Sequence, residues 1–177
     1  MKTKLIKRTL IASLAFLLSG CLGMPDGVKP VSDFELKNYL GTWYEIARLD
    51  HSFEKGLSKV TAEYQLREDG GVRVINRGYN AETDNWKQAE GKAYFVEETD
   101  KGYLKVSFFG PFYGSYVVFE LDQPNYQYAF ISGPNNDYLW LLARTPQVDQ
   151  KVIDKFKAMS LERGFDLTQL ILVEQSE

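Results

Sequence analysis

Gly41-Thr42-Trp43-Tyr44-Glu45-Ile46-Ala47-Arg48 is the stretch on which the reading of this chain turns. It is strand-like, and it carries an indole two positions after a glycine. An indole on the first strand of a domain needs an enclosed apolar place, and its face attracts a cation. A candidate cation lies far along the chain, where Leu141-Leu142-Ala143-Arg144-Thr145-Pro146 ends another strand-like run with an arginine.

Between these two stretches, turn signals recur at hairpin spacing: Asp69-Gly70-Gly71, residues 80–85, residues 97–102, Gly110-Pro111, residues 122–125 and Gly133-Pro134-Asn135-Asn136. They separate strand-like runs at 42–47, 59–67, 72–79, 87–95, 103–108, 114–122, 126–132 and 138–144. One connection is long, 49–57, and it holds His51, Phe53 and Glu54. Val60, Ala62, Tyr64 and Leu66 alternate with Thr61, Glu63, Gln65 and Arg67, and Leu104, Val106 and Phe108 alternate with polar neighbours. One face of each strand is therefore apolar. Eight such strands in a meander can close into an antiparallel up-and-down β-barrel, which abolishes the exposed edges. A barrel of this size holds its own side chains or one small ligand. Ala47, Ala62, Ala89, Gly91 and Ala93 are expected on the inner face, where they leave room.

Elements flank the barrel. Residues 33–40 predict a short helical turn capped by Ser32 or Asp33. A second helix starts near Pro146 and Asp149 and stops at Gly164. Its Val152, Phe156 and Met159, with Ile153 beside them, form one apolar face for the outside of the barrel. Leu170-Ile171-Leu172-Val173 predicts a ninth strand on the edge of the first.

Residues 1–8 are basic with no acid, residues 9–20 are almost wholly apolar, and Cys21 follows, the single cysteine of the chain. This is a secretory signal, too short to span a bilayer as a stable helix. Leu18-Ser19-Gly20-Cys21 fits a bacterial lipobox, in which cleavage precedes the cysteine and its thiol carries a diacylglyceryl group. The expected organisation is a signal peptide over 1–20, a flexible lipidated tether over 21–32 with Gly23, Pro25, Gly27 and Pro30, and a barrel domain over 33–177. Leu22, rather than an aspartate, follows the cysteine, and by resemblance to Gram-negative lipoproteins this implies the outer membrane with the domain facing the periplasm.

Removing the signal leaves 157 residues, enough for one domain that buries roughly 68–70% of its unfolded surface. The loss of Lys2, Lys4, Lys7 and Arg8 takes the net charge from −3 to −7. An acidic domain without a basic cluster is a poor binder of nucleic acid, and membrane attachment falls to the lipid on Cys21. With one histidine and no free cysteine there is no ordinary zinc site. No nucleophile elbow, metalloprotease motif or phosphate loop is present. The sequence therefore assigns no catalytic residue, no metal and no cofactor. His51, between Asp50 and Ser52, reads as a plain loop residue. Glu45 shares the expected strand face of Trp43 and Ala47. It either pairs with an internal arginine or lysine, meets a ligand headgroup, or is solvated.

Gly41-x-Trp43 on the first strand, with Arg144 closing the last, resembles the lipocalin signature. The longer string around Trp43 resembles the bacterial lipocalins and the apolipoprotein D group, and the resemblance covers residues 33–174. It implies a carrier of small apolar ligands rather than an enzyme, with Arg144 lying across Trp43 at the closed end of the barrel. Asp122 to Tyr126 stands where the family carries a Thr-Asp-Tyr turn, and Leu121 and Gln123 depart from it. The implied ligand is a fatty acid or lysophospholipid. Its wall is expected from Ala62, Tyr64, Val106, Phe108, Tyr113, Trp140 and Leu142, with Trp140 near the middle. The aromatic hairpin 108–114 fills the core or serves ligand entry, membrane contact or contact with a second copy in a homodimer. The rivals are a lipid-modifying enzyme using paired carboxylates, and a structural lipoprotein with a filled barrel.

Overall fold

A computed structural model describes residues 22–175; the expected signal peptide and Cys21 lie outside them. The nine strands are β1 (Gly41–Leu49), β2 (Leu57–Leu66), β3 (Val72–Asn80), β4 (Asn85–Phe95), β5 (Tyr103–Ser107), β6 (Gly114–Leu121), β7 (Tyr128–Ser132), β8 (Leu139–Ala143) and β9 (Leu170–Leu172). Every pairing is antiparallel. Strands β2 to β8 follow one another in order, and β1 closes the barrel by pairing with both β8 and β2. The ninth strand extends the edge of β1, with Ala47 opposite Leu172. Helix α1 (Leu36–Tyr39) is one turn across one end, and α2 (Gln150–Glu162) packs outside. The cap position before α1 is Glu35, and its side chain makes no capping bond, so neither Ser32 nor Asp33 plays that part.

The alternation of the strands sorts side chains into two layers. The inner layer gathers Trp43, Ala62, Tyr64, Val72, Val74, Leu104, Val118, Ile131 and Leu142. The outer layer joins Leu139, Leu141, Phe130 and Phe119 to Phe156 of α2 and to Phe165. Phe156 meets Phe130 edge-on with ring centroids 5.1 Å apart. The helix is thus held by Phe156, with Val152, Ile153 and Met159 packed beside it, rather than by a side-chain cap at Asp149.

Further expectations from the sequence fail on the inner face and in the tether, each for a physical reason. The first concerns Ala47. Glu45 pairs with Leu142 but Ala47 pairs with Leu141, so Ile46 is an extra residue in the ladder. A bulge of this kind flips the faces that follow it. Ala47 is turned to the outer layer, and Arg48, opposite inward-facing Trp140, is turned inside. Ala89 is exposed as well, because β4 pairs with β5 only from Lys92 onward and leaves residues 85–90 open to solvent.

The second concerns the tether. Val28 is buried in the outer layer beside Tyr103 and Val117. Val31 N–H donates to the Val118 carbonyl, and Gly102 N–H donates to the Val31 carbonyl. Residues 22–34 form a docked strap rather than a free linker, with Val28 on the outer wall and Val31 and Phe34 joining the inner layer. Their valines supply the apolar contacts that a glycine- and proline-rich composition conceals.

Candidate ligand cavity

One end of the barrel is shut. Helix α1 crosses it, and Trp43, fully buried, donates its indole N–H to the Tyr39 carbonyl at 2.8 Å. The Arg144 guanidinium carbon lies 4.0 Å from the Trp43 ring centroid. Its Nη1 donates to the Thr42 carbonyl at 2.9 Å, and its Nη2 donates to the carbonyls of Asn38 and Leu40 at 2.7 and 2.9 Å. Arg144 therefore satisfies carbonyls at the end of α1 while it covers the indole. Gly41 has φ +95°, and a Cβ there would sit 3.5 Å from Nη1, so its backbone geometry and its lack of a side chain both serve this contact.

Because each strand reverses the last, the loops after β1, β3, β5 and β7 all lie at the other end, the mouth. Between the two ends is a cavity. Its volume is about 100 Å³. Ala62, Tyr64, Val106, Phe108, Trp140 and Leu142 of the expected wall line it. Tyr113 does not. The hairpin after β5 turns outward, and Tyr113 stands against Tyr94 at 6.5 Å between ring centroids, with Lys105 Nζ over its ring at 5.3 Å. Phe108 stays inside because it lies over Gly91, where a Cβ would come within 2.9 Å of its ring.

Across the cavity, Tyr116 shares hydrogen bonds with Tyr39 at 2.7 Å and with Tyr64 at 2.8 Å. Burial raises the pKa of all three phenols well above the usual tyrosine range. Sequence reasoning missed Tyr39 and Tyr116, and no spacing signals such a triad.

Near the mouth the cavity meets an ionisable cluster. Arg48, 1% exposed, donates from Nη1 to Glu45 Oε1 at 2.7 Å and from Nη2 to the carbonyls of Glu54 and Leu57, each at 3.0 Å. Trp140 Nε1 donates to Glu54 Oε2 at 3.1 Å, and His51 Nε2 lies 3.0 Å from the same oxygen. Trp140 is accordingly at the mouth rather than in the middle, with His51 edge-on to it at 5.1 Å. His51 is no plain loop residue, since its side chain is 6% exposed. Glu45 is raised above the usual carboxylate range, first by burial and next by the charge of Glu54, which outweigh Arg48. Burial also pushes Glu54 up, but His51, Trp140 and Arg48 together outweigh it and hold the group low. The result ties the loop 50–56 to the wall. Only the bulge at Ile46 explains how Arg48 reaches it. Period-two reading hides that, although Glu45's need for an internal cation was visible. Among the described residues no cluster suits a metal ion.

A closed eight-stranded barrel, shut at one end by a Trp–Arg pair and hollow behind it, defines a lipocalin, and the chain belongs to that family: the lipocalin-like domain matches residues 34–175. It is 71% identical over 159 residues to outer membrane lipoprotein Blc of Vibrio cholerae, covering 90% of this chain and 93% of that one. It is 50% identical over 174 residues to outer membrane lipoprotein Blc of Escherichia coli K12, covering 97% and 98%. Among solved structures, insecticyanin of the tobacco hornworm Manduca sexta superposes with a TM-score of 0.69 at 23% identity, covering 88% of each chain, which speaks for the fold. Lipocalins are in general binding proteins for small hydrophobic molecules rather than enzymes.

Proposed function

We propose that the protein is a lipid-anchored lipocalin of the outer membrane, facing the periplasm, that binds a fatty acid or lysophospholipid and stores or transports it at the cell envelope. The cavity carries this reading: Val60, Val72, Val74, Leu104, Val106 and Phe108 make most of its wall apolar, and its carboxylates gather at the mouth. An acyl chain moved from water into such a wall gains about 0.8 kcal/mol per buried methylene, or roughly 10 kcal/mol for about a dozen. Ordering and association take back a large part, which leaves affinities on the order of micromolar. The lipobox at Cys21 and the outer-membrane lipoprotein relatives support the location. An enzyme would need groups free to exchange protons with substrate, whereas Glu45 and Glu54 are held by Arg48, His51 and Trp140.

The test is a titration of the purified protein with oleate and with a lysophosphatidylethanolamine, following indole fluorescence. Trp140→Ala should raise Kd about tenfold, the equivalent of about 1.4 kcal/mol of lost contact. Lys87→Ala, on the exposed part of β4, should not change it. Trp140→Phe keeps apolar area but removes the donor to Glu54, so it should fall between wild type and the alanine variant. Binding by Trp140→Ala as tight as wild type removes the chain from this wall. Failure of the wild type to bind either lipid, with no amphiphile carried through purification, overturns the carrier reading in favour of a filled structural barrel.

A further inference from the structure

We propose that the cavity is built for an acyl chain that carries a hydroxyl group near its middle, and that Asn76 recognises that hydroxyl. The inference names the ligand class more narrowly than the carrier reading above and rests on it. Asn76 follows Val72 and Val74 at alternate positions of β3, and all three line the cavity. Its Oδ1 is buried and has no hydrogen-bond partner among the described residues. An acceptor left bare inside an apolar wall is costly, so a donor carried by the ligand is favoured there. The other polar side chains of the wall are Glu45 and Glu54 at the mouth and the phenols of Tyr39, Tyr64 and Tyr116.

The phenols leave a donor over. Each hydroxyl brings one proton, but the triad makes only the bonds Tyr39–Tyr116 and Tyr64–Tyr116. One O–H is therefore unused within the triad, whichever way the bonds run. The β2–β3 register brings the two features together. Ala62 stands opposite Asn76, and Tyr64 stands opposite Val74, so Asn76 and Tyr64 are diagonal neighbours on the inner face. The Cα atoms of such neighbours are about 7–8 Å apart, within reach of an aromatic side chain. A spare acceptor beside a spare donor matches a hydroxyl, which donates and accepts at once. A carboxylate only accepts and an ammonium only donates, so neither headgroup suits the pair. Depth fixes where the hydroxyl sits on the chain. Leu57, whose carbonyl accepts from Arg48 in the mouth cluster, pairs with Asn80. Asn76 lies deeper on β3 by about 13 Å of strand, or about 10 Å of barrel depth at a tilt of about 40°. With the headgroup at the mouth, that level falls in mid-chain.

The experiment titrates the purified protein with stearate, 10-hydroxystearate and 2-hydroxystearate, again following indole fluorescence. Wild type should bind 10-hydroxystearate about tenfold more tightly than stearate, the effect of making a hydrogen bond that is otherwise left unmade. The 2-hydroxy isomer keeps its hydroxyl at the mouth and should bind like stearate. Asn76→Leu fills a similar space without the acceptor. It should bind stearate at least as tightly as wild type, which also shows an intact barrel, and should lose the preference for 10-hydroxystearate. The wild-type comparison of the three acids needs no variant, so it decides the matter even where Asn76→Leu misfolds. Equal wild-type affinity for stearate and 10-hydroxystearate overturns the inference, leaves Asn76 Oδ1 to water, and leaves the carrier standing. A preference shared by 2-hydroxystearate puts the hydroxyl contact at the mouth and also overturns it. So does a preference that survives in folded Asn76→Leu. Binding of none of the three acids overturns it too, and the oleate and lysophosphatidylethanolamine titrations above then decide the carrier reading separately.

Discussion

Arg144 lies over Trp43 with one flat face and satisfies three backbone carbonyls with its edge. A lysine can supply the charge but neither the fork nor the stacking plane. Arg144→Ala should therefore lower the free energy of unfolding by about 2–4 kcal/mol, with Arg144→Lys recovering only part of it, as measured by urea denaturation. An arginine whose removal leaves the midpoint unchanged would not be the latch of the closed end. This pair was legible in the sequence through its resemblance to the lipocalin signature, a Gly-x-Trp on the first strand and an arginine closing the last. Arg48 was not. Its inward turn depends on Ile46 being skipped by the β8 ladder, and a bulge leaves no mark in a period-two pattern. The same skipped residue decides the chemistry of the mouth, since without it Glu45 would be buried with no cation.

At the scale of elements, the strands were readable to within a residue or two because hairpin turns are written in Gly, Pro, Asn and Asp. The strap was misread for the complementary reason: glycine and proline mark a break in regular structure, not a break in packing. Its contribution can be measured. Val28 is 4% exposed against Tyr103, Val117 and Phe119. Val28→Ala should cost about 1–2 kcal/mol of stability, close to the full burial value of the lost methyls. A flexible tether predicts no change at all, so thermal denaturation of this one variant separates the two descriptions. The strap also explains why the outer layer is continuous. Val28 belongs to the same buried outer cluster as Tyr103 and Val117.

At the scale of the whole molecule, the barrel encloses polar groups that water would otherwise serve, and this ties its stability to pH. Tyr39, Tyr64 and Tyr116 are bonded to one another across the cavity, and burial raises their pKa values in the folded state. In the unfolded chain a tyrosine titrates near about 10. Below that pH both states hold their protons, and the three phenols contribute no pH dependence. Above it the unfolded chain loses protons that the folded barrel retains, so the unfolded state gains and stability falls as pH rises. Urea midpoints should therefore decline from about pH 10 upward, and phenolate absorbance of these three residues should appear only with unfolding. Tyr116→Phe isolates the effect. It removes the shared hydroxyl at the centre of the triad and one of the three shifted groups, so its midpoint should fall at neutral pH but decline less steeply above pH about 10. A wild-type midpoint that is flat through that range, with all tyrosines ionising in the folded state, would mean that solvent reaches the triad freely. The cavity would then be wet to its floor and a poor host for an acyl chain.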